Sequence, residues 1–359
     1  MHGHKRRLLA VLGALALAVS ILLVVAAGPA AGAQTIAVSQ TRINGFAQDR
    51  RFIAWTPNVT RTRFPCGAGV TFHNLESGRQ RSFRLHPTPC FFGLALGGRH
   101  ALATTPPTPC GNCFGATVWT ASPGGGLAEL ETFAELEGGH QLTGIAGDRR
   151  VLALSWVGYT LVDEDCNPAC MWEVTGGRVN RVVDGQQVRV PGVAPAAELA
   201  VGAGRLATAP AVSSWQGSDS STRPAEDGPV SVVEADTGAP VVTVSPTGTV
   251  QDLALSSDSL AVLVERADGT HAIERYAIPA GTLMTSTSVS GQARDLDAVG
   301  KWWIVYRVWR RIKLIDQVGA RHLLLVAPHR PIGLSIEGGF VSWAENGGGQ
   351  HRVRAAFTP

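Results

Sequence analysis

Lysine is nearly missing from this 359-residue chain: beyond residue 33 only Lys301 and Lys313 remain. Arginine carries the positive charge instead, a compositional bias with no mechanism attached to it. Net charge is missing as well. Three of the 31 lysines and arginines lie in residues 1–33, which hold no acid, so the remainder balances at 28 against 28. A neutral chain has no electrostatic case for binding nucleic acid. Its one basic run, Arg307-Val-Trp-Arg310-Arg311-Ile-Lys313, reads as a solvated hairpin tip. Catalytic motifs are missing too. No G-x-S-x-G elbow occurs, since Gly333-Leu-Ser335-Ile continues with Glu337, and no H-E-x-x-H occurs, which removes the elbow hydrolases and the zincins. His73, His86, His100, His140, His271, His322, His329 and His351 are scattered without ligand spacing.

A long apolar run occurs once, at the start. Lys5, Arg6 and Arg7 precede an apolar stretch from Leu8 to Ala27, followed by Ala31-Gly32-Ala33. A basic start, an apolar segment and an A-x-A site make residues 1–33 a secretory signal with cleavage before Gln34. Residues 8–27 are also long enough to span a bilayer, so an uncleaved membrane anchor is the alternative. Either way the remainder is expected outside the cytoplasm, secreted or in the cell envelope. With 45% hydrophobic and 16% charged residues, residues 34–359 are expected to form one well-packed domain.

What is present is a repeat. Anchored on one apolar residue, the copies align at Phe46, Leu94, Ile145, Leu199, Leu253, Leu296 and Leu334. The residue before each anchor is Gly45, Gly93, Gly144, Glu198, Asp252, Asp295 or Gly333, always glycine or a carboxylate; the residue after is small or short. Successive anchors lie between 38 and 54 residues apart, the period of a propeller array. Each unit opens with two short apolar runs broken by a Gly, Asp or Ser turn, as in LALSS/DSLAVLV, which suits strands covered on both faces. The spacing predicts an all-β, seven-bladed β-propeller, six-bladed if two short C-terminal units merge. Glycine-containing turns at 76–78, 122–126, 175–177, 236–238, 279–281 and 317–319 mark third-to-fourth strand hairpins. The seventh unit lacks a fourth strand, and Thr35–Ser39 is a spare one, so the N-terminal strand is expected to close the ring.

The individuality of the chain lies in its second-to-third strand loops. Those of units one to four are long (56–69, 105–115, 157–170 and 213–228), whereas later units make do with short turns. Loops on a rigid scaffold gather binding residues, and Arg61, Arg63, Phe64 and Trp215 are the hot-spot types among them. Six cysteines in an exported chain favour disulfides, and loop geometry pairs Cys66 with Cys90, Cys110 with Cys113 and Cys166 with Cys170. A redox dithiol at 110–113 or a Cys₄ zinc site are the competing readings. Asp163, Asp165 and Asn167 alternate oxygen donors as calcium loops begin, although Pro168 stands where an EF-hand needs glycine. Calcium is thus possible, and no other cofactor is expected. Glu198, Asp252 and Asp295 could face the channel and hold a metal; hydrogen bonding to neighbouring amides is the simpler role.

DLALSSDSLAVLVERADGTHAIERYAI resembles a unit of the TolB-like and WD40-like propeller superfamily, with Ser256-Ser257-Asp258-Ser259 in place of the S-P-D-G-type turn. The resemblance implies the fold, an exported setting and a protein-binding role, and transfers no catalytic residue. The sequence thus points to an exported, non-catalytic binding or scaffold propeller, with no nucleic-acid partner and with the protein or small-molecule partner unspecified. A metal-dependent hydrolase or lyase in the central channel is the alternative.

Overall fold

The structure, a computed structural model, describes residues 32–58, 69–84, 91, 93–105, 108–109, 114–135, 139–149, 151–162, 170–211, 214–217 and 228–358. Seven antiparallel sheets stand around one axis as the blades of a β-propeller, which excludes six blades. Blade 1 runs outward through Arg42–Asp49, Phe52–Asn58, Gly69–Asn74 and Gln80–Arg84. The innermost strands of blades 2 to 7 are Gly93–Gly97, His140–Asp148, Ala196–Gly202, Thr249–Leu255, Ala293–Val299 and Pro331–Glu337. Every anchor of the repeat lies on one of these seven strands.

Among the described residues the core is not one cluster but seven, and each fills the seam between two neighbouring blades. Each anchor packs backward: Leu253 of blade 5 joins Val230, Val232 and Val244 of blade 4, and Phe46 of blade 1 joins Ala344 and Val353 of blade 7. Glycine or a carboxylate precedes the anchor because the inner ladder slips register there in six blades, as at Ile43/Gly45, Val250/Asp252 and Ile332/Ser335. Bulges of this kind need unusual backbone angles. Asp295 and Gly333 take φ values of 56° and 64° there, which short polar side chains and glycine adopt at least cost.

Gln34–Ser39 pairs antiparallel with Gln350–Phe357 as the outer strand of blade 7, from Gln34 opposite Ala355 to Ser39 opposite His351. The chain then passes directly into the inner strand of blade 1, so its two ends are locked in one sheet. The seam beyond is tied by side chains as well. Asn346 of blade 7 donates from Nδ2 to the Ile43 carbonyl (2.7 Å) and accepts the Ile43 amide at Oδ1 (2.8 Å).

Three expectations change. The glycines at 175–177 are not a hairpin turn. Blade 3 has one long third strand, Cys170–Val183, running through them, and its hairpin lies at Asp184-Gly185. Gly177, at φ 142°, bends that strand where a Cβ would sit 2.8 Å from Pro195 Cβ. The loops of blades 2 to 4 contain strand: Val151–Leu161 extends into the 157–170 segment, Thr108–Pro109 pairs with Phe114–Ser122, and Ser214–Gly217 pairs with Cys170–Val183. The basic run does form a hairpin, with Trp309 and Arg310 exposed at its tip, but Arg307 is buried and ion-paired.

Two predictions follow from this architecture. Removing residues 34–40 uncovers the edge of blade 7 and should cost roughly 3 kcal/mol or more, read as a lower urea midpoint; an unchanged midpoint would refute the closure role. Arg275, fully buried on blade 5, donates to the carbonyls of Lys301 and Asp316 (3.0 Å each) and Ile315 (3.2 Å) on blade 6. Arg275→Leu strands these acceptors and should destabilise by about 3 kcal/mol.

Candidate functional site

Inner strands converge on the axis and bring their acids with them. Asp252 of blade 5 accepts the amides of Leu253 and, on blade 6, Leu296, each at 2.9 Å. Asp297 of blade 6 accepts those of Ala298 and, on blade 7, Ile336, each at 2.8 Å. Asp148 of blade 3 accepts Ala203 of blade 4 (2.7 Å), and Asp49 of blade 1 accepts Gly98 of blade 2. Four acids thus reach across four seams to the next blade's backbone. Burial pushes the Asp252 carboxyl up to about 7, with the Glu198 and Asp295 charges adding to the shift, and pushes Asp297 up to about 6.

Of the three acids flagged before the anchors, Asp252 takes the amide-binding role. Asp295 instead pairs with Arg307 through Nε–Oδ2 (2.6 Å) and Nη2–Oδ1 (3.3 Å). Glu198 contributes its charge to Asp252. Among the described residues, the acids that converge closely enough to hold a metal are others: Asp49, Asp148 and Glu337, with one carboxylate oxygen from each within 4.8 Å of the rest. They come from blades 1, 3 and 7, at the far end of the inner strands. Asp49 is buried, and Asp148 and Glu337 are half-buried. Burial raises all three. Glu337 is pushed up to about 7, with the charges of Asp297, Asp148 and Asp49 adding to the effect of burial; for Asp49 the Gly98 amide and the nearby Arg149 backbone oppose the rise.

A sequence signal for this cluster exists. All three acids stand three residues after an anchor, and Asp49 and Asp148 each open an Asp-Arg-Arg turn. Arg50 and Arg149 take φ values of 53° and 57° there. Around this mouth the tight turns of blades 1 to 4 enclose an open cleft of about 1410 Å³, to which Arg50, Arg51, Arg99, Arg149 and Arg181 bring charge against Asp49, Glu76 and Asp184.

Most residues nominated on the long loops lie outside the described residues: Arg61, Arg63, Phe64, Asp163, Asp165, Asn167, Cys66, Cys90, Cys110, Cys113 and Cys166. Two fall on described backbone. Trp215 stands opposite Trp172 and Cys170 opposite Gly217, in the register that joins the loop of blade 4 to blade 3.

The fold is similar to the β-propeller domain of the Trilobed protease from Pyrococcus furiosus, with TM-score 0.52 and 6% identity over 88% of this chain and 94% of that chain. It is also similar to the WD40 β-propeller domain of Doa1, with TM-score 0.50 and 11% identity over 90% and 97%. At such identities the likeness is one of fold. The protease domain is described as having an open velcro topology, whereas here the N-terminal strand completes blade 7. No protein-family model matches the sequence, and no curated protein matches it.

Because the folded pKa of Asp252 lies above its ordinary 3.8, the folded chain holds more protons than the unfolded chain between these values. Its contribution to stability is present below about pH 4 and lost as pH rises through about 7. Thermal unfolding of the wild type and of Asp252→Asn between pH 4.5 and 8 in chelator should show the wild type losing more stability with rising pH; parallel curves would contradict the raised pKa.

Proposed function

We propose that the protein is an exported, non-catalytic propeller that binds a protein or ligand partner through the second-to-third strand loops of blades one to four. One observation carries the reading: Ser214–Gly217, from the loop of blade 4, adds as a strand to Cys170–Glu173 of blade 3. Added strands turn separate insertions into a joint surface, and a rigid paratope loses less entropy on binding. Aromatic side chains on such loops suit recognition, and half-buried Trp172 is braced from below by buried Tyr159, in edge contact at 5.5 Å. Arg61, Arg63, Phe64 and Trp215 are its proposed hot spots.

Export rests on the signal-like residues 1–33 and on a coincidence of boundaries. The first strand begins at Gln34, the residue expected after cleavage, so processing leaves blade 7 its closing strand. The enzymatic alternative required Glu198, Asp252 and Asp295 to converge with a histidine, and no observation favours it.

The test is comparative capture. Envelope and secreted fractions of the producing cell are passed over the wild type, over a loop variant carrying Arg61→Ala, Arg63→Ala, Phe64→Ala and Trp215→Ala, and over a turn-face variant carrying Arg51→Ala and Arg99→Ala. A partner retained by the wild type and the turn-face variant, and lost at least tenfold from the loop variant, is expected. Equal retention by the loop variant would refute the assignment of the face, and a native N-terminus upstream of Gln34 in a cytoplasmic fraction would refute export.

A further inference from the structure

We propose that Asp49, Asp148 and Glu337 bind a hard divalent cation of the calcium class at the turn-side mouth of the central channel, bridging blades 1, 3 and 7. This site is separate from the loop face and does not depend on the reading of that face.

Two independent observations carry it. The first is geometric: one oxygen from each acid lies within 4.8 Å of the other two. Oxygen-only donors select hard cations. Calcium, at about 2.3–2.6 Å from each ligand, accepts irregular sets of oxygens, whereas magnesium demands near-ideal octahedral geometry and gives up its waters reluctantly. The second is an orphaned acceptor. Asp49 is 1% exposed, and while its Oδ2 takes the Gly98 amide, its Oδ1 is buried with no donor in hydrogen-bonding position among the described residues, although the Arg149 backbone N–H lies near the carboxylate. A buried carboxylate oxygen without a donor is a costly arrangement that a bound cation resolves.

Two arginines flank the three acids: the charges of Arg50 and Arg149 both act on Asp49 and Asp148. Arg149 Nε stands 3.8 Å from Asp148 Oδ2 on a side chain 51% exposed, so three acids face two loosely held counter-charges. Asp297 lies close enough for its charge to act on Glu337, but both its oxygens already accept amides, so it serves as an outer neighbour rather than a ligand. Water completes the coordination from the open side. The consequence is structural: blade 7, whose outer strand is joined to its other strands by pairing alone, is tied by the ion to blades 1 and 3.

The experiment uses the purified protein stripped with chelator and titrated with Ca²⁺ or Mg²⁺ by calorimetry and thermal unfolding. One Ca²⁺ per chain is expected, preferred over Mg²⁺ at least tenfold and raising the unfolding midpoint. Glu337→Gln and Asp148→Asn should each weaken Ca²⁺ binding at least tenfold. Metal-free Glu337→Gln should unfold no earlier than the metal-free wild type, because it removes repulsion and no ligand is then needed; a merely structural role for Glu337 predicts the reverse. The loop variant Asp163→Asn/Asp165→Asn should leave binding unchanged. In the wild type, Ca²⁺ should slow amide exchange around residues 49–51 and 337–339, a readout that needs no variant. No binding at millimolar Ca²⁺, full affinity in Glu337→Gln and Asp148→Asn, loss of binding in the loop variant, or protection confined to other segments would each overturn the proposal.

Discussion

No blade here is stable alone, because each is apolar on both faces and is covered only by its neighbours. The ring must therefore close, and every other feature follows from that constraint. Seven seams hold the whole core, and each anchor is committed to the blade before it. The chain crosses every seam, from the outer strand of one blade to the inner strand of the next, and its covalent gap lies inside blade 7, between Gln34–Ser39 and Gln350–Phe357. Strand pairing alone closes that gap, while Asn346, gripping both backbone groups of Ile43, and Ser342, donating to Gln48, hold the inner strands of blade 7 to blade 1.

The same constraint explains the buried acids. At the axis the inner strands fan apart and cannot pair with one another, yet their bulges release amides that still need acceptors. Leu296, beside the bulge of blade 6, is one such donor, and Asp252 of blade 5 supplies the acceptor. A short carboxylate in an inner strand is therefore a tie between blades before it is anything else. This is why three channel acids of similar sequence context have separate roles, and why their presence alone did not imply a metal.

How much of this was legible depended on what repeats. The seven anchors, the bulge position and the orphan strand Thr35–Ser39 could be read because each occupies a fixed offset in a recurring unit. The Gly176-Gly177 bend has no distinct sequence mark, because a glycine pair looks alike in a hairpin turn and in a long strand that must clear Pro195. Strand addition by Ser214–Gly217 left no periodic trace, since it joins two loops outside the repeat. The axial acids were legible in principle at three residues past the anchor. Only three of the seven units carry an acid there, so the position shows no recurrence to mark it.

That offset also shows why three acids, and not seven, can meet. Three residues after the anchor, blades 2 and 4 carry Gly97 and Gly202, while blades 5 and 6 carry Ser256 and Val299. A Cβ at Gly97 would lie 2.7 Å from the Val151 carbonyl, and one at Gly147 would lie 2.7 Å from the Leu96 carbonyl. Blades 2 and 3 thus approach backbone to backbone. With blade 2 contributing no side chain at this level, Asp49 can reach across its front towards Asp148, two blades away. An equal side chain from every blade would crowd the axis; glycine in blade 2 opens the space that the acids of blades 1, 3 and 7 then fill. The convergence of these acids is a property of the alternation around the ring, and no single blade encodes it.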